Sequence, residues 1–187
     1  MEICETLYVS NRSDWRKWLE ANFDTKKEIW LLYPNKASGK PRIAYNDAVE
    51  EALCFGWIDS IIKSLDKETS AQRFTPRNQK SSYSQPNKER LKWLFQNNQL
   101  HPSVKDTIDN IISEEFVFSP DIIATIKSDK IAWENYQKFS PSYQRIRIAY
   151  IDSARKHPEE FQKRLKNFIG NTRQNKQIGF GGIEKYY

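Results

Sequence analysis

Residues 54–76 read CFGWIDSIIKSLDKETSAQRFTP, and their reading decides the fold. Residues 57–65, WIDSIIKSL, have the aromatic and β-branched composition of a strand. Asp66, Lys67, Glu68 and Thr69 form a polar turn, residues 70–75 return as a second strand, and Pro76 ends it. A four-residue loop between two such runs predicts an antiparallel hairpin. The same stretch opens on the end of a helix. Residues 45–55 place Tyr45, Ala48, Val49, Ala52 and Leu53 on one apolar stripe, with Asp47, Glu50 and Glu51 on the opposite side. Gly56 follows where a helix-terminating glycine belongs. Cys54 at this apolar helix end reads as a small buried hydrophobe, and nothing in the sequence places it beside His101 as a nucleophile and base.

Upstream, residues 10–22 predict a helix with Trp15, Trp18 and Leu19 on one face. Residues 28–34, EIWLLYP, are continuously apolar, as in a central, covered strand. The NKASGKP segment after them reads as a turn. Downstream of residue 80 the pattern changes. Pro86, Pro102, Pro120, Pro141 and Pro158 each fall just inside a predicted helix start, where a missing N–H costs nothing. The helices read as roughly 84–97, 102–114, 120–127, 129–138, 141–156 and 158–170. The fold class is therefore α+β. A small antiparallel sheet with helices occupies residues 1–80, and an all-helical part with a C-terminal tail occupies 81–187, as two domains or one compact unit. The tail carries Ile178, Phe180, Ile183, Tyr186 and Tyr187, which favours its docking on the body.

The chain has 187 residues, 13% of them aromatic, enough large rings for a sizeable core. No apolar run approaches the roughly 20 residues of a membrane helix. The N-terminus lacks the basic-then-apolar pattern of a signal peptide, so a cytoplasmic protein is expected. Cys4 and Cys54 form no CxxC and lie far in sequence from His101 and His157. Neither a metal site nor a disulfide is expected. Phosphate-loop, dinucleotide, serine-hydrolase and zinc-protease motifs are missing from the sequence, so no catalytic residue and no cofactor are assigned.

Chemistry gathers instead between Trp57 and Arg90. Strict alternation along the hairpin puts Asp59 and Lys63 on one face, with Arg73 and Thr75 together on the return strand, so that Asp59, Lys63 and Arg73 converge. Arg77, Ser84, Asn87 and Arg90 follow, the last two on one helix face. The set Trp57, Asp59, Lys63, Arg73, Thr75, Arg77, Ser84, Asn87 and Arg90 reads either as a pocket for an anion or small polar ligand, with the arginines as donors, or as an ion-pair network locking the hairpin in place. A second feature is charge. Residues 140–187 hold ten basic against four acidic residues, the whole of the +6 excess. Arg145, Arg155, Lys163, Arg164 and Lys166 fall on the polar faces of two successive helices, a pattern compatible with nucleic acid or with an ordinary solvated face.

The segments SGKPRIAYNDAVEEALCFGWIDSIIKSLD, FTPRNQKSSYSQPNKERLKWL and FSPSYQRIRIAYIDSARKHPEEFQKRL resemble the bacterial YdeI/OmpD-associated, bacteriocin-protection family over about residues 5–170. Gly56, Trp57, Asp59, Asp66, Phe74, Thr75, Pro76, Arg77, Ser84 and Asn87 carry the resemblance. Tyr83-Ser84 stands where the family often has Trp-Ser. The resemblance implies a non-enzymatic protein of bacteriocin resistance or envelope-stress protection that acts by binding a ligand or partner; an anionic small molecule or a protein is the partner expected. A nucleic-acid binder, and an enzyme built on Asp59, Arg73 and Arg77, are the competing expectations.

Overall fold

The structure, a computed structural model, describes residues 2–78 and 80–179. The chain divides into two compact units, Met1–Ser82 with Leu91–Ile112, and Tyr83–Arg90 with Ser113–Tyr187. The strands lie in the N-terminal half and the C-terminal part is helical, an α+β arrangement.

The first unit is built on a four-stranded mixed sheet in the order β1-β2-β4-β3, with β1 at Thr6–Leu7, β2 at Ile29–Pro34, β3 at Trp57–Ser64 and β4 at Thr69–Pro76. The short β1, which the sequence does not announce, pairs parallel with β2, whereas β2–β4 and β3–β4 are antiparallel. The hairpin forms as its composition predicts. Asp66 closes its turn by accepting from the backbone of Glu68 and Thr69, both at 2.7 Å.

Helix α1, Arg12–Asn22, starts at Asn11, whose side chain accepts from the Asp14 N–H. Helix α2, Tyr45–Cys54, stops at Gly56, where φ is +72° and the N–H returns to the Leu53 carbonyl at 3.2 Å. Both helices pack on the sheet face that bears Phe74 and Trp57. Trp15 meets Phe74 edge-on at 5.4 Å, and Trp18 meets Trp57 at 5.8 Å. Trp15, Trp30 and Trp57 are fully buried, each removing roughly 150–250 Å² of surface from water.

The acidic side of α2 is not solvated as its stripe suggests. Glu50 and Glu51 are buried. Arg12 donates to Glu50 at 2.8 Å and also to Glu51, and Arg16 donates to Glu51 at 2.7 Å. Burial opposes the Arg12 charge, yet the two carboxylates outweigh it and hold its pKa above the ordinary value. Amphipathic reading treats carboxylates as solvent-seeking; here α1 supplies their countercharges.

Residues Leu91–Ile112 fall in the first compact unit. The Gln99 carbonyl accepts from Arg16 at 2.9 Å, and the His101 N–H donates to the Cys54 carbonyl at 2.9 Å. The single helix read over 102–114 is two short turns, α4 at Pro102–Lys105 and α5 at Asp109–Ile112, which follow α3 at Gln85–Gln96. Between them the Thr107 N–H and hydroxyl both bond the Val104 carbonyl, at 3.0 and 2.8 Å, tightening the chain out of the α-helix.

The second unit contains α6 at Pro120–Ser128, α7 at Lys130–Tyr136, α8 at Pro141–Asp152 and α9 at Pro158–Arg173. Their core joins Ile122, Ile126, Tyr136, Tyr143, Ile148, Ile151, Leu165 and Phe168. Ser140 and Asp129 cap α8 and α7 with their side chains, and proline occupies the first turn of α6, α8 and α9. Ile178 packs against this core, and its N–H meets the Tyr143 hydroxyl at 2.8 Å. The expected docking of Phe180, Ile183, Tyr186 and Tyr187 lies outside the described residues. No helix among the described residues is long and apolar enough to cross a membrane.

Candidate functional site

Asp59 takes its position from an irregularity in β3. It faces Phe74, while Ile62 faces Gln72, so three steps along β3 match two along β4. The extra residue is a β-bulge, and it breaks strict alternation. Asp59 and Ile62 therefore share the face of Phe74 and Gln72. Lys63, paired with Ala71, moves to the opposite face and lies over the Trp30 ring at 5.6 Å. Arg73 is also on that opposite face, aligned with Trp30, and donates to Glu28 at 2.9 and 2.5 Å. The expected convergence of Asp59 with Lys63 and Arg73 is thus incorrect, and its cause is the bulge.

On its own face Asp59 lines an open cavity of about 770 Å³ with Tyr33, Arg42, Tyr45, Ser70 and Gln72 among its walls. The Tyr45 hydroxyl, at the first residue of α2, donates to Asp59 Oδ2 at 2.7 Å. The Gln72 amide reaches the same oxygen at 3.4 Å and the Ser60 carbonyl at 3.3 Å. Arg42 is oriented by the loop before α2 and donates one nitrogen to the Pro34 carbonyl at 3.0 Å. The Tyr33 hydroxyl is buried and has no hydrogen-bond partner among the described residues. Burial first, then the neighbouring Tyr45 and Asp59, push its pKa up, while Arg42 pulls it down. Ile43, Ala44 and Ile62 supply the apolar wall. One carboxylate, one guanidinium, three hydroxyls besides Ser60 and one amide thus line a single concavity, an arrangement suited to hold a small molecule carrying groups of both signs.

The other residues singled out in sequence are placed elsewhere. Trp57 is core, its indole N–H on the Phe23 carbonyl at 2.9 Å. Thr75 lies opposite Ile58, on the Arg73 face. The Arg77 backbone N–H bonds the Gly56 carbonyl at 2.9 Å, and its guanidinium bonds the Asn78 and Ser81 carbonyls. Ser84, Asn87 and Arg90 fall in the second unit, where Arg90 donates to Asn87 at 2.8 Å. An enzyme centre of Asp59, Arg73 and Arg77 therefore has no geometric basis. Tyr33, Arg42, Tyr45, Ser70 and Gln72 escaped sequence reading. The one available signal was Ile61-Ile62, two adjacent apolar residues that break the strand's alternation.

Cys54 is buried beside Glu51, and burial pushes its thiol up to about 12. His101 is near it through the backbone, but its ring Nδ1 is engaged with Ser103 at 2.7 Å. No group of three or more His, Cys, Asp or Glu side chains among the described residues could hold a metal. In the basic C-terminal part, Arg145 is paired with Glu89 at 2.7 Å, Arg155 with Asp121 and Asp152, and Arg164 with Glu160. Three of the five cations considered for nucleic acid are thus partnered within the chain, while Lys163 and Lys166 are exposed.

The first unit is therefore a mixed sheet covered by two helices, with a polar cavity opened by a strand irregularity. Residues 7–107 match the family model described as a domain of unknown function (DUF8412), and the chain belongs to that family. Residues 115–175 match the model described as Bacteriocin-protection, YdeI or OmpD-Associated. That match is narrower than the resemblance read from sequence: CFGWIDS and the hairpin belong to the first domain. No curated protein and no solved structure matches the chain.

Proposed function

We propose that the protein acts by binding, and that its first unit holds a small zwitterionic molecule in the Asp59 cavity, a cationic group at Asp59 and an anionic group at Arg42. The observation that carries this reading is the pairing of one carboxylate and one guanidinium in one open, hydroxyl-lined concavity, within the usual ligand-site range of roughly 300–1,000 Å³. Tyr45 and Gln72 aim the carboxylate. Tyr33, whose hydroxyl has no hydrogen-bond partner among the described residues, lines the same cavity. Ligand capture in this unit is the molecular role through which a bacteriocin-protection-associated protein contributes to resistance.

The test is calorimetric titration of the full chain with alanyl-alanine, its C-terminal amide and its N-acetyl form, which differ by one charge each. The dipeptide binds with an affinity of about 1 mM or better. Asp59→Asn weakens the dipeptide and the amide about tenfold but leaves the N-acetyl form unchanged, and Arg42→Ala does the reverse for the carboxylate. Equal binding of all three compounds, or an unaltered isotherm in Asp59→Asn, contradicts the reading.

A further inference from the structure

The second unit carries a smaller cavity, about 230 Å³, lined by Arg147, Tyr150 and Ile151 of α8 and by Glu160, Lys163, Arg164, Asn167 and Phe168 of α9. Arg147 is its decisive residue. It is only 7% exposed. Among the described residues its Nε has no hydrogen-bond partner and its guanidinium forms no ion pair. Its head is nevertheless held in place. The guanidinium carbon lies 5.6 Å from the ring centroids of both Tyr143 and Tyr150. The Gly179 backbone approaches so closely that a Cβ there would come within 3.1 Å of it. Aromatic faces orient a guanidinium but do not satisfy its N–H donors. A buried charge left without a partner is costly, so an anion placed at Arg147 is stabilised by it.

The remaining charges set the kind of anion. Arg164 is already neutralised: its Nε donates to Glu160 at 2.8 Å, its Nη1 donates to the Tyr150 carbonyl at 2.8 Å, and it stacks on Tyr150 at 4.0 Å. Lys163, exposed at the rim, makes no ion pair among the described residues. Three cations against one carboxylate leave the lining two positive charges in excess. A phosphate monoester, which carries about −1.5 to −2 at neutral pH, matches that excess. Ile151 and Phe168 give the cavity an apolar wall for the ester's organic part. Its volume is below the usual range for large ligands, so one phosphoryl group and a short body fit it, and a nucleotide does not.

We propose that this cavity is a phosphate-monoester site of the second unit, with Arg147 and Lys163 as the anion-binding pair. The test titrates the full chain at low salt with phenyl phosphate, inorganic phosphate and phenol, and separately with phosphatidic acid in phosphatidylcholine vesicles. Phenyl phosphate binds more tightly than inorganic phosphate, and phenol does not bind. Lys163→Gln weakens phenyl phosphate by about fivefold and, being an exposed change, leaves the melting curve intact. Arg147→Lys weakens it by about tenfold, because an ammonium lacks the planar two-donor edge. No binding of phenyl phosphate to the wild-type chain below about 10 mM overturns the proposal, as does equal affinity in Lys163→Gln and wild type. Binding to the vesicles without binding of phenyl phosphate also overturns it, by assigning the charge to a membrane surface.

Discussion

Arg12 shows how much one side chain can carry. Its guanidinium is the shared partner of Glu50 and Glu51, and both carboxylates are buried. Arg12→Ala therefore removes an ion-pair partner from each of two buried carboxylates, Glu51 retaining Arg16, and is expected to cost about 3–5 kcal/mol in urea unfolding. A loss below about 1 kcal/mol would show that water reaches these carboxylates. The two cysteines differ in the same physical sense. Cys4 is exposed and Cys54 is buried with its thiol pushed up to about 12. A thiol reagent at neutral pH is predicted to modify one thiol rapidly and the second only after unfolding. Burial of Cys54 was legible from its place at an apolar helix end. Burial of Glu50 and Glu51 was not, because their compensating arginines lie on another helix, and sequence period records one element at a time.

At the scale of elements, the bulge in β3 decides the site. Trp57–Ser64 and Thr69–Pro76 were legible as strands, and so was the loop between them. The register was not, since one extra residue exchanges the faces of everything beyond it. Asp59 was thus found while its neighbours Tyr45 and Gln72 were missed, and Lys63 and Arg73 were assigned to the wrong face. The stop of α2 rests on backbone shape. Gly56 has φ +72°, and the nearest atom to an added Cβ is Val104 Cγ2 at an ordinary 3.5 Å. Gly56→Ala is expected to destabilise by about 1–2 kcal/mol through conformation and not through crowding, with no change in the cavity's ligand affinity. Element-to-element ion pairs also set an acid limit. The Arg73 hydrogen bonds hold Glu28 below the usual carboxylate range. For Glu89 burial acts upward, but bonds from Arg145 and Gln85 outweigh it and its pKa is also lowered. Carboxylates depressed in the folded state bind protons more readily when unfolded. Their stabilisation is present above the unfolded value and lost as pH falls toward the folded one. The melting temperature is predicted to fall as pH drops below about 4.5, less steeply in Arg145→Gln, which removes Glu89's main charged partner.

For the whole molecule, the α+β class and the change of character toward the C-terminus were legible, because proline-started helices and a β-hairpin differ in local pattern. The membership of residues 91–112 was not, because it depends on long-range bonds such as His101 to Cys54. The two family matches, 7–107 and 115–175, divide close to the boundary of the first unit at Ile112. A fragment of residues 2–112 is accordingly expected to fold with a cooperative transition, whereas one of residues 2–82, lacking the buried Leu94, Leu100, Val104 and Ile108, is not. Binding of a zwitterion at Asp59 is the role proposed for the first unit. Its most direct test is an amide-resolved NMR titration of the full chain with alanyl-alanine. The expected shifts concentrate at Tyr33, 42–45, 59–62 and 70–72 and disappear in Asp59→Asn. Shifts located elsewhere, or identical in wild type and Asp59→Asn, would contradict it.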